Sequence, residues 1–411
     1  MKVLLLGAGV QGGPCASILA RDKDVSEIVL GDIDINLANK VKDKIKSDKI
    51  NVVKVDASKI EDIKGAARGV DVIINLTLCP FNLNIMKAAL ESRTHYVDGN
   101  GDDLLPTQII KRQPLEFDDE FREAGLTGLF GCGGCPGIVN VLARYSCDKL
   151  DRVSAIRIKC GFKFLEMPKE IVSAWEPRWW APEGTLYTHA VEPIVFENGE
   201  YRKYPPFSGC EEYNFPDPVG LLLICYQGWQ MPVTLPHFIG KNIRHVDFKF
   251  PLDPLAATFV KMGFDSSAPI DVKDVKVAPI DVLLKLVRHP VNTFFTEDER
   301  TAKLPPKSAY PYVIEINGEK LGEAVAYTIS WAYSFFTNAE EKLELYRKFG
   351  TTDVTVALAA IAGAKMCVKG QTAKGVISPE CLDPMKFLKV IADMGAAVKF
   401  HEMLSKKVSL S

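Results

Sequence analysis

Lys2-Val3-Leu4-Leu5-Leu6-Gly7-Ala8-Gly9-Val10-Gln11-Gly12 opens the chain with an apolar run that breaks into three spaced glycines. The run reads as a buried strand, and the stretch from about Gly12 to Ala20 as the helix that follows it. G-x-G-x-x-G between a strand and a helix is a cradle for a dinucleotide. Gly7 permits the tight exit from the strand, and Gly9 lets a pyrophosphate approach the backbone. Gly12 lets helix and sheet close together, with the positive end of the helix facing the phosphates. Val10 and Gln11 border the same ligand. An acidic residue then closes the second apolar run, Ile28-Val29-Leu30-Gly31-Asp32. Asp32 can accept from ribose hydroxyls and would repel a 2′-phosphate, and no arginine stands beside it, so NAD is the expected cofactor. Ile33 is counted with this site, and Asp34 competes for the ribose contact. The plainer alternative is that the glycines make only a turn and Asp32 caps the next helix.

Outward from this motif, short apolar runs alternate with longer amphipathic ones. Strands are expected at Glu27–Leu30, Asn51–Val55, Val70–Leu76, His95–Val97 and Leu126–Phe130. Helices are expected across Asn36–Ser47, Ile60–Gly69, Asn84–Ser92 and Leu115–Ala124. That alternation predicts a doubly wound parallel α/β sheet of the Rossmann kind over residues 1–137. After the loop Gly131-Cys132-Gly133-Gly134-Cys135-Pro136-Gly137 and a helix over Ile138–Lys149, the texture changes. Strand-like runs such as Val153–Ile158 and Tyr312–Ile316 are set among Pro- and Trp-rich loops, so 138–350 is read as an α+β substrate domain with an antiparallel sheet. Residues 351–411 supply a small-residue helix, Thr352–Cys367, and an amphipathic one, Pro384–Met394.

The bulk properties narrow the partners. A chain of 411 residues is too long for one core. Its 47% hydrophobic and 25% charged residues are ordinary for a globular protein. A net charge of -2 and the lack of a long basic run argue against nucleic acid. No apolar run approaches the roughly 20 residues needed to cross a bilayer, and the N-terminal run lacks a cleavage site. The location expected is the cytoplasm, with the ten cysteines free in a reducing compartment.

Two short patterns compete with this reading. Cys132-Gly133-Gly134-Cys135 has the form of a redox pair or half a zinc site, but no second ligand pair accompanies it, so no metal is expected. Tyr145-x-x-x-Lys149 has the form used by short-chain dehydrogenases, without the serine or the glycine motif of that group.

Further pieces carry a resemblance: Gly31-Asp32, Val55-Asp56-Ala57-Ser58, Tyr96-Val97-Asp98, Cys135-Pro136-Gly137, Trp175-x-Pro177-Arg178 and Gly375-Val376-Ile377-Ser378-Pro379-Glu380. With these the chain resembles the saccharopine dehydrogenase-like family, most closely its lysine 6-dehydrogenase branch. The resemblance implies an NAD(P)-binding Rossmann domain, an inserted substrate domain, a C-terminal return to the first domain, and a homodimer. It also implies hydride transfer at a carbon bonded to nitrogen. By position it puts Asp56 and Ala57 near the adenine, and Leu76, Thr77 and Pro80 near the nicotinamide. The family's Arg-aromatic-Pro pattern is reduced here to Lys249-Phe250-Pro251, which replaces a bidentate guanidinium by a point charge.

Oxidising an amine needs a base for its proton. Asp98, directly after a strand, and His189 in the middle domain are the candidates; a turn carboxylate and an ordinary histidine are the alternatives. His95 should lie at the opposite edge of the sheet, and His237 and His245 have no evident partner. Arg178, Lys249 and Trp175 are candidates for holding the substrate. The expected activity is NAD-dependent oxidation of an amino acid or related amine. The alternatives are an imine reductase of the saccharopine or carboxynorspermidine dehydrogenase type, a non-catalytic NAD(H) sensor, and an enoyl reductase.

Overall fold

The protein is seen in a computed structural model that describes residues 1–101, 104–165, 182–287, 292–331 and 335–406. Five consecutive apolar strands, β1 (Lys2–Leu6), β2 (Glu27–Asp32), β3 (Ile50–Lys54), β4 (Val72–Asn75) and β5 (His95–Asp98), join β6 (Thr127–Leu129) in one parallel sheet. Strands this apolar are stable only when both faces are covered, and helices supply the covering. Among the described residues the sheet has seven strands in the order Gly375–Ile377, β6, β5, β4, β1, β2, β3. The order reverses between β1 and β4, which opens a crevice at the carboxyl ends of the strands. This is the expected Rossmann sheet. Its strand limits shift by a residue or two, and the helix Leu104–Ile110 was not foreseen.

The return of the chain is built on small residues. Helix Thr355–Val368 is buried from Ala357 to Cys367 and packs on β4 and β5. A Cβ on Gly363 would stand 2.7 Å from Leu129 Cδ2 and 2.9 Å from Cys132 Sγ, so the helix approaches the sheet as closely as a glycine allows. Lys365 on the same helix is paired with Asp22 at 2.6 Å and Asp24 at 3.0 Å, just beyond helix α1 (Gly12–Arg21). The return is more than helical, however. Gly375–Ile377 adds a strand beside β6, and His401–Lys406 pairs with Glu323–Trp331 in the other sheet. The two helices expected over 351–411 are present, and these two strands are added to them.

The middle region forms a nine-stranded sheet among the described residues. Arg152–Cys160 lies at its centre, between Tyr312–Lys320 and His245–Pro251. The sheet is mixed, against the antiparallel expectation, because His245–Pro251 runs parallel to Arg152–Cys160. The connection between these two strands includes helix Met231–Ile239, which packs on His245–Pro251 and lets the chain re-enter in the same direction. The cysteine expectation is corrected here too. Cys210 and Cys225 form a disulfide. In the hairpin Glu211 faces Ile224, which brings the adjoining Cys210 opposite Cys225. No helix among the described residues is long and apolar enough to cross a membrane.

Candidate functional site

The adenine side of the crevice is made by the glycine loop. Gly7 has φ +94°, donates its N–H to Gly31 O at 2.8 Å, and has no room for a side chain beside Leu76 O. A Cβ on Gly12 would fall 1.8 Å from Gly7 O. The protein's own packing therefore requires these two glycines. Gly9 differs, because a Cβ there would meet nothing within 4 Å. Its bare backbone faces open space at the start of α1, which is the cradle a pyrophosphate needs. Val10 and Gln11 continue this rim, both partly exposed.

Asp32 closes β2 and reaches back to the loop. Its Oδ2 accepts from Ala8 N at 2.6 Å and its Oδ1 from Asp34 N at 2.8 Å. Each carboxylate oxygen keeps a second lone pair for a ribose hydroxyl. Asp34 is the helix cap, accepting from Asn36 N and Leu37 N ahead of Ile35–Ile45. The cap at this helix is therefore Asp34 and not Asp32. Ile33 is 63% exposed and offers an apolar surface beside them. Asp56, just past β3, holds Ser58 N at 3.0 Å and Ser58 Oγ at 2.6 Å; these bonds, with Lys59, keep its carboxyl below the usual range. Ala57 lies partly exposed beside it. The donors and the open cradle fit NAD.

The nicotinamide side is held by buried amides that sequence reading missed. Asn75, at the end of β4, donates to Asn82 Oδ1 at 2.7 Å and Tyr96 OH at 3.1 Å, while its own Oδ1 accepts from Thr77 N and Oγ1. Asn82 in turn donates to Gly101 O at 2.6 Å. Leu76 and Thr77 are thereby fixed on the rim, with Pro80 exposed in the turn that follows. Gln230 lies over this floor: a Cβ on Gly101 or Gly131 would overlap its amide.

Asp98 is 1% exposed, and its Oδ1 accepts from the N–H groups of Asn100, Gly101 and Gly131. Burial raises its pKa against the pull of these donors. Through Oδ1 it ties the loop after β5 to the loop after β6, which favours the turn-carboxylate reading over the proton acceptor, while the buried Oδ2 has no hydrogen-bond partner.

His189 is corrected in the same way. It is 5% exposed, Nδ1 lies 2.8 Å from Thr185 O, and Asp253 N donates to Nε2 at 3.2 Å. Those partners set the tautomer with the proton on Nδ1, and the Gln227 amide lies 3.2 Å from the same Nε2. Its ring clasps three segments of the middle domain rather than facing the cleft.

Lys249 does not wait for a substrate carboxylate. Its ammonium binds Glu211 Oε1 at 3.0 Å and lies 4.9 Å over the Tyr226 ring, because the register sets Tyr226 opposite Lys249. Trp175 and Arg178 fall outside the described residues. His95 begins β5, far from the carboxyl ends, where Thr127 N donates to its Nδ1 and burial lowers its pKa to about 4. His245 pairs with Asp247, and His237 rests edge-on against Phe238.

The two competing patterns resolve structurally. Cys132 Sγ reaches Ala359 O, whereas Cys135 Sγ lies 3.8 Å from Cys160 Sγ, so the C-x-x-C sulfurs have separate partners. Among the described residues no three potential ligands gather for a metal. Lys149 does reach Tyr145 OH at 2.8 Å, but it also binds Tyr327 OH and Glu402 and so fastens the C-terminal strand.

Asp353 carries no motif and was not foreseen. It precedes helix Thr355–Val368 and accepts from Gln11 Nε2 at 3.2 Å, which places a carboxyl against the glycine loop.

Residues 3–129 match the family model described as the saccharopine dehydrogenase NADP binding domain. Carboxyaminopropylagmatine dehydrogenase of Synechocystis sp. is 22% identical over 98% of both chains. Carboxynorspermidine synthase of Vibrio alginolyticus is 24% identical, covering 96% of this chain and 95% of its own. The apo saccharopine dehydrogenase (L-Glu forming) of Saccharomyces cerevisiae has the same fold, with a TM-score of 0.68 at 15% identity over 98% of this chain and 99% of its own.

Proposed function

We propose that this chain, an oxidoreductase with a Rossmann NAD-binding domain, is saccharopine dehydrogenase-like, and that its reaction is reduction of an imine formed between a small amine and a carbonyl compound. Lysine 6-dehydrogenase-like oxidation, the first expectation from the sequence, becomes the second reading. The observation that carries the choice is the set of full-length relatives, whose names denote carboxylated amines. The charge at the rim supports it. Asp353 and Glu297 stand near the glycine loop, and Lys249 and Lys159, on strands of the middle sheet, are already bound to Glu211 and Glu315. Such a rim favours a cationic amine over a second carboxylate.

Bound in this crevice, the nicotinamide would supply the hydride. The chain's own residues do the rest. The Asn75, Asn82 and Asp98 bonds fix the floor, and Gln230 roofs the two glycine loops. Asp32 orients the adenosine end. The homodimer is part of the proposal, supported by the exposed edge strand His401–Lys406 with Met403 and Leu404; a monomer by light scattering overturns that part.

The test uses purified protein with NADH, amino-acid semialdehydes and a panel of diamines and polyamines, read as loss of reduced-nicotinamide absorbance. Oxidation of NADH only when amine and aldehyde are both present supports the proposal. NAD reduction with lysine alone, and no reductive turnover, replaces it by the second reading.

A further inference from the structure

Asp353 is placed by contacts from three separate loops. Its Oδ2 accepts from Gln11 in the loop after β1. Its neighbours Thr355 and Val356 lie against Gly134 and Gly99, in the loops after β6 and β5. The segment thus crosses the carboxyl ends of the strands beside the point where the sheet order reverses. Its backbone is held as well. Asp353 N donates to Thr351 Oγ1, and the Glu297 carboxylate accepts from Thr351 Oγ1 and Thr352 N. Asp98 differs, with three amide donors on one buried oxygen, whereas Asp353 is partly exposed and has one side-chain donor.

We infer that Asp353 is the proton-handling residue of this cleft, standing beside the nicotinamide and serving the nitrogen of the substrate; the chemical half of the inference rests on the C–N reading above. In reduction, the imine carbon receives hydride from NADH while the nitrogen takes the Asp353 proton. The C=N π pair becomes the N–H bond, the carboxyl is left as carboxylate, and NADH is left as NAD+. Oxidation of an amine runs the same transfers backward. Although the residue keeps some exposure, loss of water around its carboxyl raises Asp353 to about 6, with Gln11 opposing and the Glu297 charge adding to it. A group that titrates there can both give and take a proton near neutral pH. The charged group facing it from the connector after Thr293–Thr296 is Glu297, behind which stand Lys44 and Lys342.

The test separates place from chemistry. NAD+ and NADH share a pyrophosphate and differ by the positive charge on the ring. At pH 6, calorimetry in two buffers should therefore show NAD+ binding releasing about half a proton more than NADH binding in the wild type. In Asp353→Asn the difference should vanish, with NADH affinity within threefold of wild type as the check on folding. In Asp353→Glu it should persist. Equal proton release by the wild type and Asp353→Asn overturns the inference, whatever the turnover. Where the wild type turns over imines, Asp353→Asn should lower kcat/KM by about 100-fold or more and remove the limb of the pH profile near 6. An unchanged limb overturns the chemical role while the C–N reading stands. A wild type that turns over nothing but shows the proton difference sinks that reading and keeps Asp353 beside the ring.

Discussion

The two ends of the cofactor crevice are built in opposite ways. At the adenine end every essential group lies within the first 56 residues, and each acts through a near neighbour: Gly7 on Gly31, Asp32 on Ala8, Asp34 on its own helix. At the nicotinamide end the groups come from β4, β5, the loop after β6, the middle domain and a helix more than 340 residues downstream of the glycine loop. Asp98 meets Gly131, Gln230 covers Gly101, and Asp353 meets Gln11. Local turns specify the first end, and long-range packing specifies the second. Damage at the first should read as lost affinity, and damage to the ties that hold the second together, such as Asp98, as lost stability.

The strongest way to break that contrast is Asp98→Ala. It leaves two buried N–H groups and a half-buried third without their acceptor, and we expect a loss of about 4 kcal/mol in urea unfolding. A loss below about 1 kcal/mol would deny Asp98 its place as the tie between loops.

Gly12→Ala comes next, since its Cβ would overlap Gly7 O. Displacing the loop should weaken NAD binding by about 100-fold, or roughly 2.7 kcal/mol by calorimetry, with a smaller effect on stability. A change confined to unfolding would put the two ends on the same footing.

Asp32→Ala should cost about tenfold in NAD affinity and little in NADP affinity, because the carboxylate that repels a 2′-phosphate is removed. Parallel titrations with the two dinucleotides check this.

The smallest effect belongs to His95, at the far edge of the sheet. Its folded pKa of about 4 lies below the ordinary value of 6.5. The unfolded chain therefore binds the proton first, and stability falls as pH drops from about 6.5 toward 4. Allowing for the ring's partial exposure, we expect about 1 kcal/mol over that window. His95→Gln should flatten this part of the pH–stability curve and leave NAD binding unchanged.

The same contrast explains what was legible. The Rossmann sheet and the placing of the glycine loop and Asp32 at the carboxyl ends of its strands could be read directly, because they depend on residues close in sequence and on strand–helix periodicity. Asp98 and His189 were correctly noticed but misassigned. Sequence placed each near a strand end or in the right domain, and only the structure showed that Asp98 Oδ1 and both ring nitrogens of His189 are held by their neighbours. Lys249 was drawn toward a ligand by analogy, and the hairpin register gave it Glu211 instead.

What the sequence determined alone was the cofactor end: three glycines and a carboxylate whose hydrogen bonds close within one β-α-β unit, with only Gly7 also pressed against Leu76 O beyond β4. What the tertiary structure decided was the reacting end. There, helix Thr355–Val368 comes close enough to the sheet, through Gly363, to carry Asp353 onto Gln11. No local pattern encodes that meeting, because it arises from close packing between segments that are distant along the chain.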